Sequence, residues 1–130
     1  MTDSKFFFDT STWISHLDSS EGGQIRDIVM SNATIYTSVL TLFEVKRKLL
    51  KDTLHIEKID EAINNILTRS ILIEISPEIS LSASEYSFQK KLGAIDAIIY
   101  ASSQIHSCTL ITFDNDFRDL ENVKVLKGVE

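Results

Sequence analysis

One cysteine, one proline and four glycines in 130 residues leave little room for a disulfide-held, linker-rich or low-complexity chain. The single thiol, Cys108, closes no internal disulfide, and beside an apolar run it reads as a small buried residue without a chemical role. Long hydrophobic runs are missing too. The stretches "AIIYA" and "TLITF" fall far short of the roughly 20 residues that a membrane helix needs. No basic segment followed by a secretory apolar core opens the sequence, so the expectation is a cytoplasmic protein that does not enter a membrane. Positive charge is also in deficit: the net charge of -6 argues against coating nucleic acid by bulk electrostatics. It does not argue against a nucleic-acid enzyme whose acids share one pocket. Basic clusters at 46–51 ("KRKLLK") and 90–91 ("KK") remain available, although charge runs are commonly just solvated helix faces.

With 43% hydrophobic and 25% charged residues, the chain can bury a real core but is too short for two ordinary domains, so a single domain over 1–130 is expected. Strand-like runs rich in β-branched and aromatic residues lie at 5–9, 34–38, 70–75, 109–113 and 123–127. Between them fall helical patterns. A helix-permissive turn opens at "TSTW" and a second short helix covers 23–31. Apolar residues at Leu42, Val45, Leu49 and Leu50 mark a helix over 39–51, and Ile56, Ile59, Ile63, Ile66 and Leu67 mark another over 56–67. Pro77 suits a helix start, Gly93 a helix end, and 94–106 a further helix with Asp96 in its first turn. This alternation predicts an α/β fold: a mainly parallel sheet with helices on both faces, joined by right-handed crossovers.

The informative acids are those tied to these elements. Asp9 closes the first strand, Asp114 the fourth, and Asp96 opens the helix before the fourth. Glu44 lies beside the apolar stripe of its helix, toward the sheet edge. Each acid alone has an ordinary explanation as a turn, cap or solvated residue. Together they point to one place, because ligands of open α/β sheets bind outside the carboxyl ends of the strands. If the first and fourth strands are neighbours, Asp9, Glu44, Asp96 and Asp114 converge. Two carboxylates about 5 Å apart repel by roughly 3 kcal/mol at an effective dielectric near 20, so such a cluster calls for protons or a cation. Oxygen ligands without histidine or cysteine suit Mg²⁺ or Mn²⁺ rather than zinc. The chemistry suggested is metal-assisted phosphodiester hydrolysis, with water as the nucleophile.

The segments "FFFDTSTWI", "SVLTLFEVKRKL", "GAIDAIIYASS" and "LITFDNDF" resemble, in order and spacing, the PIN-domain ribonucleases, and the size is similar to that of the toxins of VapBC-type toxin-antitoxin pairs. The resemblance implies a three-layer α/β/α PIN-like domain that binds Mg²⁺ or Mn²⁺ through acidic residues and cuts RNA. By position it makes Asp9, Glu44 and Asp96 metal ligands and catalytic acids. It offers Asp114 first and Asp116 second for the fourth place, and casts Ser11 and Thr112 as hydroxyls that orient the acids or a water. Capping of the first helical turn explains Ser11 about as well. No organic cofactor is implied. RNA as substrate, an antitoxin protein and a homodimer are the implied partners.

Other pockets of this kind fit less well. A phosphoacceptor receiver domain needs paired acids at the first strand and a lysine after the last pocket strand, whereas Asp9 stands alone and "TFDND" has no lysine. A haloacid-dehalogenase-type phosphatase needs an acid two positions after Asp9, where Ser11 stands. A non-catalytic PIN-like scaffold and a housekeeping RNA-processing nuclease remain as alternatives, the former weakened because no acid is lost. His16, His55 and His106 fall on separate elements without ligand spacing, and Trp13 and Phe6 to Phe8 read as core.

Overall fold

Alternating short apolar and longer amphipathic runs become, in the computed structural model, a parallel sheet covered by helices. The structure describes residues 4–18, 23–52 and 55–127. Among these the order is β1 (Lys5–Phe8), α1 (Thr10–Asp18), α2 (Gln24–Met30), β2 (Thr34–Ser38), α3 (Val39–Asp52), α4 (Ile56–Arg69), β3 (Ile71–Ile73), α5 (Pro77–Lys90), α6 (Ala94–Ile105), β4 (Thr109–Thr112), a 3₁₀ turn (Asn115–Phe117) and β5 (Val123–Val125). The expected element order holds throughout, in a three-layer α/β fold.

All strand pairs are parallel and the spatial order is β3-β2-β1-β4-β5. The chain builds leftward from β1 to β3, then crosses back to place β4 on the other side of β1. The strand order therefore reverses between β1 and β4, and the crevice where α/β sheets take ligands opens there. Phe8 pairs with Ile111 in that register, so the residues just after the two strands emerge side by side.

Side chains of successive strand residues leave on opposite faces, and two cores result. Phe7 and Leu110 pack with Ile79, Ala83, Ala97 and Tyr100 of α5 and α6. Phe8 and Ile111 pack on the other face with Trp13, Ile25, Val45 and Ile66 of α1 to α4. Trp13 and Phe117 are buried, as their aromatic character suggests, and so is Cys108, whose thiol burial pushes up to about 11. Such a thiol stays protonated and unreactive at neutral pH.

Some of the apolar residues that mark α3 and α4 face outward, and one expectation, at Gly93, needs correction. Leu50 is exposed because it lies about 100° round the helix from Leu49. Leu67 is exposed for the same reason relative to Ile66, and Ile56, which opens α4, is exposed as well. Gly93 does not end α5: Lys91 takes the left-handed C-cap conformation (φ 56°, ψ 39°), and Gly93, in ordinary extended backbone, is the N-cap of α6. Leu92 between them is buried and its carbonyl accepts a 2.7 Å bond from Ser87 Oγ, which fixes the turn one residue after the helix. At the start of α5, Ser76 accepts from Ile79 N and Pro77 fills the first turn, as expected.

Candidate metal centre

The acid at the end of β1 is shaped by the hydroxyl run that follows it. In "DTST" the chain turns directly from strand to helix, and Asp9 caps α1: its Oδ1 accepts from Thr12 N at 3.0 Å, while Trp13 N bonds its carbonyl. Oδ1 also faces Ser11 Oγ at 2.7 Å and Thr12 Oγ1 at 3.0 Å, and Oδ2 accepts from Thr112 Oγ1 at 2.5 Å. Thr12 Oγ1 reaches the carbonyl of Ile111 as well, at 2.6 Å. Cap and pocket acid, alternatives in the sequence, are thus compatible. Thr12 Oγ1 has one proton and its shorter bond is to Ile111, so Oδ1 keeps Thr12 N and Ser11 Oγ as donors and Oδ2 only Thr112 Oγ1, which makes Oδ2 the less crowded oxygen.

Ser11 and Thr112 both serve Asp9 and both tie β4 to it. Phe113 N donates to Ser11 Oγ at 3.0 Å, Asp114 N donates to Thr112 Oγ1 at 3.0 Å, and the two hydroxyl oxygens lie 3.4 Å apart. β4 ends at Thr112, two residues short of Asp114, which instead caps the 3₁₀ turn by accepting from Asp116 N at 2.9 Å. This turn swings Asp116 back toward Asp114 while Phe117 re-enters the core.

Asp96, in the first turn of α6, completes the group. Carboxylate oxygens of Asp96, Asp114 and Asp116 lie within 4.8 Å of one another. Burial and then the charges of Asp114, Asp116, Asp9 and Glu44 raise the Asp96 carboxyl to about 6, against the lowering that a helix N-terminus gives. Burial also raises Asp9, opposed by the bonds from Thr112, Ser11 and Thr12. A carboxyl pushed up by carboxylate neighbours has a site for positive charge beside it.

Glu44 stands apart from the three-acid group, on α3 beside buried Val45, where its Oε1 accepts from Thr10 Oγ1 at 2.7 Å. Its charge still acts on Asp96. The structure therefore brings Asp96, Asp114 and Asp116 into direct proximity, sets Asp9 at the neighbouring strand end clad in hydroxyls, and holds Glu44 through Thr10. Thr10 and Thr12 were not singled out from the sequence; the uninterrupted hydroxyls after a strand-end acid were the available signal. An all-oxygen donor set of this kind fits a hard divalent cation such as Mg²⁺ or Mn²⁺.

A sequence profile described as PIN domain matches residues 6–123. No curated protein sequence matches significantly. Among solved structures, a toxin-antitoxin complex from Klebsiella pneumoniae superposes with TM-score 0.74 at 24% identity, covering 92% of this chain and 95% of that one. The DNA-bound VapBC of Salmonella typhimurium gives 0.79 at 14% identity, covering 95% and 98%. The sarcin-ricin loop cleaving toxin VapC20 of Mycobacterium tuberculosis gives 0.68 at 19%, covering 86% and 92%. At these identities the likeness is one of fold.

Proposed function

Because the chain belongs to the PIN-domain family, its profile match running from residue 6 to 123, we propose that it is an endoribonuclease dependent on Mg²⁺ or Mn²⁺, acting as the toxin of a toxin-antitoxin pair. The observation that carries the reading is the convergence of Asp96, Asp114 and Asp116 beside Asp9 at the β1/β4 crevice. The neighbours described as toxin-antitoxin complexes, and one described as cleaving the sarcin-ricin loop, support the toxin role and RNA as substrate. In this reading residues 1–130 form one nuclease domain working in the cytoplasm. Residues 1–3, 19–22, 53–54 and 128–130 of that span lie outside the described residues. No helix among the described residues is long and apolar enough to cross a membrane.

Asp96, Asp114 and Asp116, with Asp9 through Oδ2 and Glu44, would hold the cation. A bound divalent ion supplies activation of water and neutralisation of phosphate charge. The chain's own contribution is positional. Ser11, Thr12 and Thr112 fix the Asp9 carboxylate, the Asp114 cap fixes the 3₁₀ turn, and the mutual repulsion of the acids keeps the pocket ready for positive charge. Exposed Phe43, Leu81 and Phe88 offer apolar surface that an antitoxin or a second copy would cover.

The test is cleavage of defined RNAs, including tRNAs, with Mg²⁺ or Mn²⁺, with EDTA, and with Asp96→Asn. Cleavage that requires the metal and Asp96 is expected. Cleavage in EDTA, or undiminished cleavage by the variant, would overturn the mechanism. Metal binding without cleavage of any RNA would favour a scaffold.

A further inference from the structure

We infer that Thr10 is a positioning residue: its hydroxyl fixes the carboxylate of Glu44 for the divalent ion, and this inference rests on the metal-dependent reading above. Three observations carry it. First, Thr10 Oγ1 donates to Glu44 Oε1 at 2.7 Å across 34 residues of sequence, joining the start of α1 to α3. Those helices follow β1 and β2, which are adjacent parallel strands, so the first residue of α1 meets the second turn of α3 beyond the carboxyl edge of the sheet. Second, the two side chains differ in stiffness. Glutamate has three rotatable bonds, whereas threonine, branched at Cβ, has few χ1 choices in a helix. The donor is therefore the rigid partner and the acid the guided one. Third, Glu44 lies outside the tight group of Asp96, Asp114 and Asp116 yet its charge reaches Asp96. A carboxylate so placed needs an anchor to remain turned toward the pocket.

With Oε1 held by Thr10, Oε2 is the oxygen left for the cation. The same division of labour appears at Asp9, where Oδ1 keeps Thr12 N and Ser11 Oγ as donors and Oδ2 is the less crowded oxygen. Orienting partners of this type commonly govern metal affinity by about 10- to 100-fold. In this inference the Thr10 hydroxyl, which donates to Glu44 Oε1, acts through Glu44 alone.

The experiment measures Mn²⁺ binding by calorimetry in wild type, Thr10→Val, Thr10→Ser, Glu44→Ala and the Thr10→Val/Glu44→Ala double variant. RNA cleavage is followed in parallel as separate kcat and KM. Thr10→Val is expected to weaken Mn²⁺ binding roughly 10-fold, Thr10→Ser to restore most of it, and Thr10→Val to have no further effect once Glu44 is alanine. At saturating Mn²⁺ its KM for RNA should equal that of wild type. Wild-type Mn²⁺ affinity in Thr10→Val, or equal losses with and without Glu44, would overturn the inference while leaving the nuclease reading intact. Failure of the wild type itself to bind Mn²⁺ would overturn both. Should Thr10→Val not fold, Thr10→Ala with the same Glu44 cycle supplies the comparison.

Discussion

Thr112 Oγ1 donates to Asp9 Oδ2 at 2.5 Å and accepts from Asp114 N at 3.0 Å, so one hydroxyl connects the acids that follow two neighbouring strands. Thr112→Val keeps the shape and removes both bonds. A buried carboxylate oxygen and a backbone N–H then lose their partners, which costs on the order of 1–3 kcal/mol. Urea denaturation should show that loss, with Thr112→Ser near wild type; an unchanged midpoint in the valine variant would mean that the bond contributes nothing.

Asp96 makes the metal-free fold sensitive to pH. Its carboxyl is raised from 3.8 to about 6, so between these values the folded protein holds a proton that the unfolded chain has released. The Asp96 contribution to stability therefore falls as pH rises through that window and is constant above it. In EDTA, the melting temperature of wild type relative to Asp96→Asn should drop by a few degrees from pH 4 to pH 7. A difference independent of pH would contradict the placement of Asp96 among the other acids.

Divalent ions should reverse that penalty. Ligand binding to the folded state alone stabilises it by about 1.4 kcal/mol at ten times the dissociation constant, so Mg²⁺ or Mn²⁺ should raise the melting temperature at pH 7.5 and EDTA should cancel the gain. At pH 5 the ion competes with the proton on Asp96, and the gain should shrink. Equal gains at both pH values in thermal melts would point to binding elsewhere.

Lys91 offers a test of the fold that is independent of the site. It adopts a left-handed conformation, φ 56°, which costs a residue with a Cβ roughly 1 kcal/mol. Lys91→Gly should therefore raise stability by about that amount, net of glycine's greater unfolded-state freedom. A lower denaturation midpoint would show that the lysine side chain makes a compensating contact.

Periodicity made most of the architecture readable. Apolar residues every second or every three to four positions have to be buried, and that requirement alone marks "KFFF", "TIYTS" and the helices around Val45 and Ile66 as elements in their observed order. The sequence also identified the acids bordering those elements. It overreached at Gly93, because the exact place where a chain turns depends on what packs against it, here a buried Leu92 before Gly93.

Tertiary structure alone decided which acids meet. That β1 lies beside β4 is a property of the crossover from β3, not of either strand's residues, and it sets Asp9 next to Thr112 across 103 positions of sequence. The 3₁₀ turn then brings Asp114 and Asp116 together to Asp96, so the choice between them posed by "FDND" becomes a shared cluster. Thr10 gained its role in the same way. A hydroxyl in the sequence is only a potential donor, and the carboxylate it holds is chosen by which helices the sheet sets side by side.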